Sequence, residues 1–277
     1  APGLPRVLLA IGLVYVGMAS TSGSSVGYIV LPQVAGKSVF GIVVGIELLM
    51  VCFLAPALTA GAIAAERERQ TFDLLRTTLL PARSLVLGKL FSAMSFMLLL
   101  LFVGFPIQSL AFVFGGVSIE EVLVSFLLLL VTALGFSALA LLVSTLMRTT
   151  LGATVISYVG ALLLVFGVPL LLLIATSILG PLFSGYIPNL TLAQQDTFEI
   201  VLFSLLYLLV VLNPPATLVA SEPMFTELQE VFYGTLPMSS GKLFPVISPW
   251  IIYSLLVLLS SSLLIWLSIR NVRRAER

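Results

Sequence analysis

Residues Ala60 to Lys89 read AGAIAAERERQTFDLLRTTLLPARSLVLGK, the one concentrated block of charge in a chain that is 60% hydrophobic and 9% charged. The block carries Glu66, Arg67, Glu68, Arg69, Asp73, Arg76, Arg83 and Lys89, with long apolar runs on both sides. A charged segment between two such runs reads as a loop joining two membrane spans, and its Lys and Arg content assigns it to the cytoplasmic side.

Composition agrees with that reading. A mean hydropathy of +1.20 with repeated apolar runs longer than about 18 residues describes a polytopic α-helical membrane protein. Histidine is absent and Cys52 is the single cysteine. Imidazole-ligated haem, His-bearing metal sites, Cys clusters and Ser-His-Asp chemistry are therefore excluded, as is an intrachain disulfide.

Counting outward from the loop gives six spans: Arg6 to Leu31, Val39 to Ala64, Leu90 to Phe114, Val122 to Met147, Leu151 to Leu179 and Pro249 to Ile269. Each is long enough, at about 1.5 Å per residue, to cross a hydrocarbon core about 30 Å thick. With both termini inside, every basic residue except Lys37 and Lys242 falls on the cytoplasmic side. The outer loops gather Glu120, Glu121, Asp196, Glu199, Glu222, Glu227 and Glu230. A cleaved signal peptide ending in the small-residue run Ala19 to Ser25 is disfavoured, because the apolar stretch continues through Tyr28, Ile29 and Val30.

The chain reads as one transmembrane domain, residues 1–277, with a loop at 65–89 and a proline-rich extracytoplasmic cap at 180–248. No internal repeat of fixed period is visible. Short helices broken at Pro188, Pro214, Pro223, Pro237 and Pro245 are the expected content of the cap. Phe198 to Leu212, closed by Asn213-Pro214-Pro215, is short for a crossing and reads as a re-entrant or interfacial helix.

Within the loop, Glu68, Phe72, Leu75 and Leu79 fall at helical spacings of three and four, while Arg69, Asp73 and Arg76 occupy another stripe. A short helix ending at Pro81 fits this pattern and could lie in the interface plane or enter a partner's groove. A solvated loop that merely returns the chain fits it equally well.

The stretch from Pro56 through Leu58-Thr59-Ala60-Gly61, Ile63, Glu66-Arg67-Glu68-Arg69-Gln70-Thr71-Phe72-Asp73-Leu74-Leu75, Thr77-Thr78 and Gly88-Lys89 resembles the signature loop of ABC type-2 transporter permeases. The resemblance rests on about 35 residues; six spans, a basic tail and a long outer segment containing Asn213-Pro214 agree with it. It implies an all-α polytopic fold, with a cytoplasmic coupling helix that docks into a nucleotide-binding ATPase subunit. It also implies a second permease chain, identical or related, and a prokaryotic plasma membrane. Carried over by position, Glu66, Arg67, Glu68, Arg69 and Thr71 match the polar positions of the motif, and Leu74 and Leu75 the apolar ones. Phe72 joins them as an expected docking residue.

A lever held by both apolar and charged contacts suits such docking, and alternating Glu and Arg sets register, since a shifted pairing brings like charges together. The chain carries no G-x-x-x-x-G-K-[ST] pattern: Gly36-Lys37-Ser38 lacks the earlier glycine, and Gly88-Lys89 is followed by Leu90. It is therefore expected not to be an enzyme and to hold no cofactor, with ATP and Mg belonging to the partner subunit. The bilayer is its other partner, and no nucleic acid is expected.

Glu47 lies eight positions into the second span without a nearby intrahelical basic partner. A charge at mid-bilayer costs about 2.5 to 3.5 kcal/mol on insertion scales, so Glu47 should face protein or a water-filled path. It lines a transport cavity or carries a proton in one reading. In the other it is protonated, or hydrogen-bonded to a neighbouring span such as the Ser/Thr-rich end of the first. Gly23-x-x-x-Gly27 and Gly41-x-x-x-Gly45 permit close helix approach and read as intrachain packing rather than a dimer seam. Two other function classes remain open: a proton-coupled secondary transporter using Glu47, and a membrane scaffold or sensor that binds a soluble partner through 65–89. The spans contain few polar side chains, which favours a lipid-like or amphipathic cargo over a sugar or peptide.

Overall fold

The structure, a computed structural model, describes residues 31–70, 81–113, 116–171, 173–174, 177–178, 192–226, 231–237 and 243–275. The element order is α1 (Leu31–Glu68), α2 (Ala82–Val113), α3 (Ile119–Leu146) and α4 (Thr150–Leu162) with a π-helical turn at Leu163–Gly167. These are followed by α5 (Leu192–Val211), α6 (Pro214–Thr226), β1 (Tyr233–Pro237), β2 (Leu243–Ile247) and α7 (Pro249–Ala275). Five described helices are long and apolar enough to cross a membrane: Gly36–Glu68, Ala82–Ser109, Ile119–Leu146, Thr150–Leu171 and Pro249–Arg274. They coincide with five of the six expected spans; the first expected span lies almost wholly outside the described residues.

Helix boundaries follow local chemistry. Pro81 opens α2, its carbonyl accepting from Ser84 N at 2.8 Å. A capping box opens α3: Glu121 N donates to Ser118 Oγ at 3.2 Å, while Ser118 N donates to Glu121 Oε2 at 3.0 Å. Thr149 caps α4 through Gly152 N. Inside the spans, Thr59 and Thr132 return their hydroxyls to the carbonyls one turn earlier, Ala55 O and Leu128 O, and so need no water.

One compact unit comprises Leu31–Leu163 with Ser254–Arg277. In it α1 packs on α2, α3 and α4, and α3 packs also on α2 and α4. More than half of α3 is buried against a third or less of the other spans, which makes it the central helix. Gly135 brings α7 close to α3: a Cβ there would lie 2.8 Å from Val257 Cγ1. By contrast, nothing lies within 4 Å of a Cβ built on Gly41 or Gly45, so the expected packing role of that pair finds no partner among the described residues.

The second unit, in its described part, comprises residues 164–253. Ile200–Val211 and Pro214–Glu222 are both apolar and meet at a bend of 120°. This is the geometry of a broken span or of a re-entrant loop, the second being one of the two arrangements expected of this segment. Asn213 builds the bend. Its Oδ1 accepts from Ala216 N at 2.8 Å, capping α6, and its Nδ2 donates to Leu164 O at 2.6 Å and Val165 O at 3.0 Å. Those two carbonyls belong to the start of the π-helical stretch, where the regular ladder is interrupted. Val168, Leu206, Val210 and Ala216 pack around this node.

The cap departs from the expected all-helical segment. β1 and β2 form an antiparallel ribbon in the register Tyr233↔Ile247, Thr235↔Pro245, Pro237↔Leu243. Two of the prolines read as helix breakers, Pro237 and Pro245, therefore sit in strands, and Pro223 sits inside α6. Each strand of a two-stranded ribbon is an edge, where a missing N–H is tolerated, and Tyr, Thr, Phe, Val and Ile supply the β-preferring side chains. Tyr207 OH donates to Ile247 O, and Trp250 Nε1 to Val231 O at 2.9 Å, tying the ribbon to α5 and α7.

Candidate functional site

The charged segment of the sequence begins on a membrane helix rather than in a separate one. Helix α1 runs unbroken through Glu68, and the chain then turns: Arg69 N donates to Ala65 O, Gln70 N to Arg67 O, and Gln70 adopts the left-handed conformation at φ 59°. Glu68 is thus the last residue of α1, and the rest of the expected stripe, Phe72, Leu75 and Leu79, lies outside the described residues. Thr71, Phe72, Leu74 and Leu75 lie outside the described residues.

Three residues expected to dock a partner make bonds within the chain. Glu66 meets Lys89 of α2 at 3.4 Å. Arg67 Nη1 donates to Thr145 O at 2.7 Å, near the C-terminus of α3. Glu68 Oε2 accepts from both Thr150 N at 2.8 Å and Thr150 Oγ1 at 2.6 Å, at the N-terminus of α4. Sign and helix polarity agree, since a cation sits at the negative end of one helix and an anion at the positive end of the next. Beneath them, Ser144 Oγ accepts from Ile63 N and Ala64 N at 3.0 Å each. Ile63, Ala82, Val86, Leu90, Leu141 and Val272 then close an apolar core that joins α1, α2, α3 and α7. Arg69 is exposed.

The sequence reading passed over Ser144, Thr145, Thr149 and Thr150. Their signal was legible: a Ser-Thr pair and a Thr-Thr pair flank the short link between two spans, where two helix termini must be satisfied.

The second polar centre lies within the spans. Glu47 is 5% exposed and Gln108 fully buried, and Gln108 Nε2 donates to Glu47 Oε2 at 2.6 Å. Neither Glu47 Oε1 nor Gln108 Oε1 has a hydrogen-bond partner among the described residues. Gly104 makes room for the carboxyl, since a Cβ at that position would overlap Glu47 Oε1 and lie 2.7 Å from Glu47 Cδ. Glu47 is thus bonded to a neighbouring span, but its partner is Gln108 of α2. The Ser/Thr-rich end of the first span, considered as that partner, lies outside the described residues. Among the described residues, no group of three or more Cys, Asp or Glu side chains could hold a metal ion.

Compared with known protein families and with curated proteins, the chain matches none.

Proposed function

We propose that this chain is the permease subunit of an ABC exporter in a prokaryotic plasma membrane. A separate nucleotide-binding subunit hydrolyses ATP, and a second permease chain, identical or related, completes the pathway for a lipid-like or amphipathic cargo. The observation that supports this most is the bracing of the Glu66-Arg67-Glu68 segment. Its contacts with Lys89, Thr145 and Thr150 tie the loop's first turn to the ends of α2, α3 and α4. A force applied to residues 69–80 by a closing ATPase then reaches four helices together instead of bending one.

In this reading the two halves of the motif divide the work. Glu66, Arg67 and Glu68 hold the lever to the transmembrane unit, and Arg69, Thr71, Phe72, Leu74 and Leu75 meet the partner. The decisive experiment extracts the full chain from its native membrane in mild detergent and identifies its companions by mass spectrometry. A stoichiometric P-loop ATPase is expected, and Phe72→Ala with Leu75→Ala should release it. Absence of any ATPase under several detergents would overturn the proposal.

A further inference from the structure

We propose that Glu47 is a proton-binding site inside the transmembrane unit, with Gln108 and Gly104 as the residues that build it. The inference stands apart from the ATPase partnership and rests on the composition of the pocket.

The pair contains three oxygens and one amide nitrogen, and it makes one hydrogen bond, from Gln108 Nε2 to Glu47 Oε2. With Glu47 as a carboxylate, two buried oxygens lack a donor and a negative charge sits without a cation among the described residues. One proton on Glu47 removes the charge and adds the donor that the pocket lacks. Gln108 suits either state, because an amide donates to a carboxylate through its nitrogen and accepts from a carboxylic acid through its oxygen. Gly104 stands one helical turn before Gln108, on the same face of α2, and lets the carboxyl lie against backbone instead of reaching toward water.

On the described helices packed around Glu47, the other ionisable groups are placed elsewhere, with Glu66, Arg67 and Glu68 at the far end of α1. On α1, Lys37 precedes it by ten residues, about 15 Å along the helix, and Cys52 is a buried thiol. On α2, Arg83 and Lys89 occupy the opposite end from Gln108. On α3, Glu120 and Glu121 lie in the first turn, with Glu121 engaged in the capping box. On α4, Tyr158 donates its hydroxyl to Phe53 O, about 9 Å further along α1 than Glu47. The proton is drawn from water and returns to water; no covalent step is involved.

The test uses the full chain reconstituted in phospholipid nanodiscs and examined by infrared spectroscopy at pH 7. A carbonyl stretch of a protonated carboxylic acid is expected in the wild-type chain, lost in Glu47→Gln and retained in Glu120→Gln. A spectrum with carboxylate bands only, or an acid band that survives Glu47→Gln, would overturn the proposal. Should Glu47→Gln fail to fold, labelling of the wild-type chain with an apolar carbodiimide decides the matter, since a protonated carboxyl gives its proton to the reagent and adds to its central carbon. An adduct on the peptide containing Glu47 supports the site, and its absence refutes it.

Discussion

Replacing Gly104 by Ala tests how the buried acid is accommodated. The added methyl falls on Glu47 Oε1, 2.7 Å from Cδ and 3.4 Å from Cγ, so the carboxyl must move. Leaving Gln108 breaks the 2.6 Å bond and strands a buried amide donor, which costs about 1 to 3 kcal/mol. Pushing the Glu47 side chain off its rotamer adds about 1 kcal/mol. Exchanging Gly for Ala within a helix returns about 1 kcal/mol. The net expectation is a loss of about 1 to 3 kcal/mol. In a Glu47→Ala background the obstruction is gone, and the same Gly104→Ala change should stabilise by about 1 kcal/mol. Reversible unfolding in mixed detergent micelles across the four variants gives the coupling, expected at about 2 to 4 kcal/mol. Equal effects of Gly104→Ala in both backgrounds would refute the account.

Gln70→Gly relieves a left-handed backbone that costs a side-chain-bearing residue about 1 to 2 kcal/mol, and should raise the thermal midpoint of the purified chain. Asn213→Ala removes the α6 cap and both donors to the π-helical carbonyls, an expected loss of about 2 to 4 kcal/mol; Asn213→Asp keeps the cap alone and should fall between, read as amide exchange over residues 216–221. Gly135→Ala sets a methyl 2.8 Å from Val257 Cγ1 and should cost about 1 to 2 kcal/mol; Val257→Ala should restore the thermal midpoint in the double variant.

Span positions were legible because apolar runs of bilayer length have one solution in lipid, a helix with its backbone bonds satisfied internally. The bend at residue 213 was legible for a related reason, since Asn-Pro-Pro can both end and start helices. The hairpin at 233–247 was not. Proline was weighed there as a helix breaker, whereas in a two-stranded ribbon its missing N–H faces an open edge. Glu47 announced itself as a lone acid in an apolar run, but its partner could not be read from spacing within one helix. Gln108 lies 61 residues away, and only packing of α1 on α2 brings the two together. Gly104 was invisible in the same way, because a glycine in a membrane helix is too common to mark a site.

The two polar centres divide one helix between them. At its basic end α1 is bonded to the termini of α3 and α4 through Arg67 and Glu68, and to α2 through Glu66. Further up the same helix, the contact with α2 passes through a buried carboxyl and an amide with oxygens to spare. Partly exposed ion pairs such as Glu66–Lys89 contribute little, at most about 1 kcal/mol; the bonds to helix termini and the apolar core around Ile63 and Val86 give that end its rigidity. Substitutions at Glu66 or Glu68 disturb the braced end, whether or not a partner docks there. A probe of docking placed beyond Gln70 leaves the bonds of Glu66, Arg67 and Glu68 to the other helices in place.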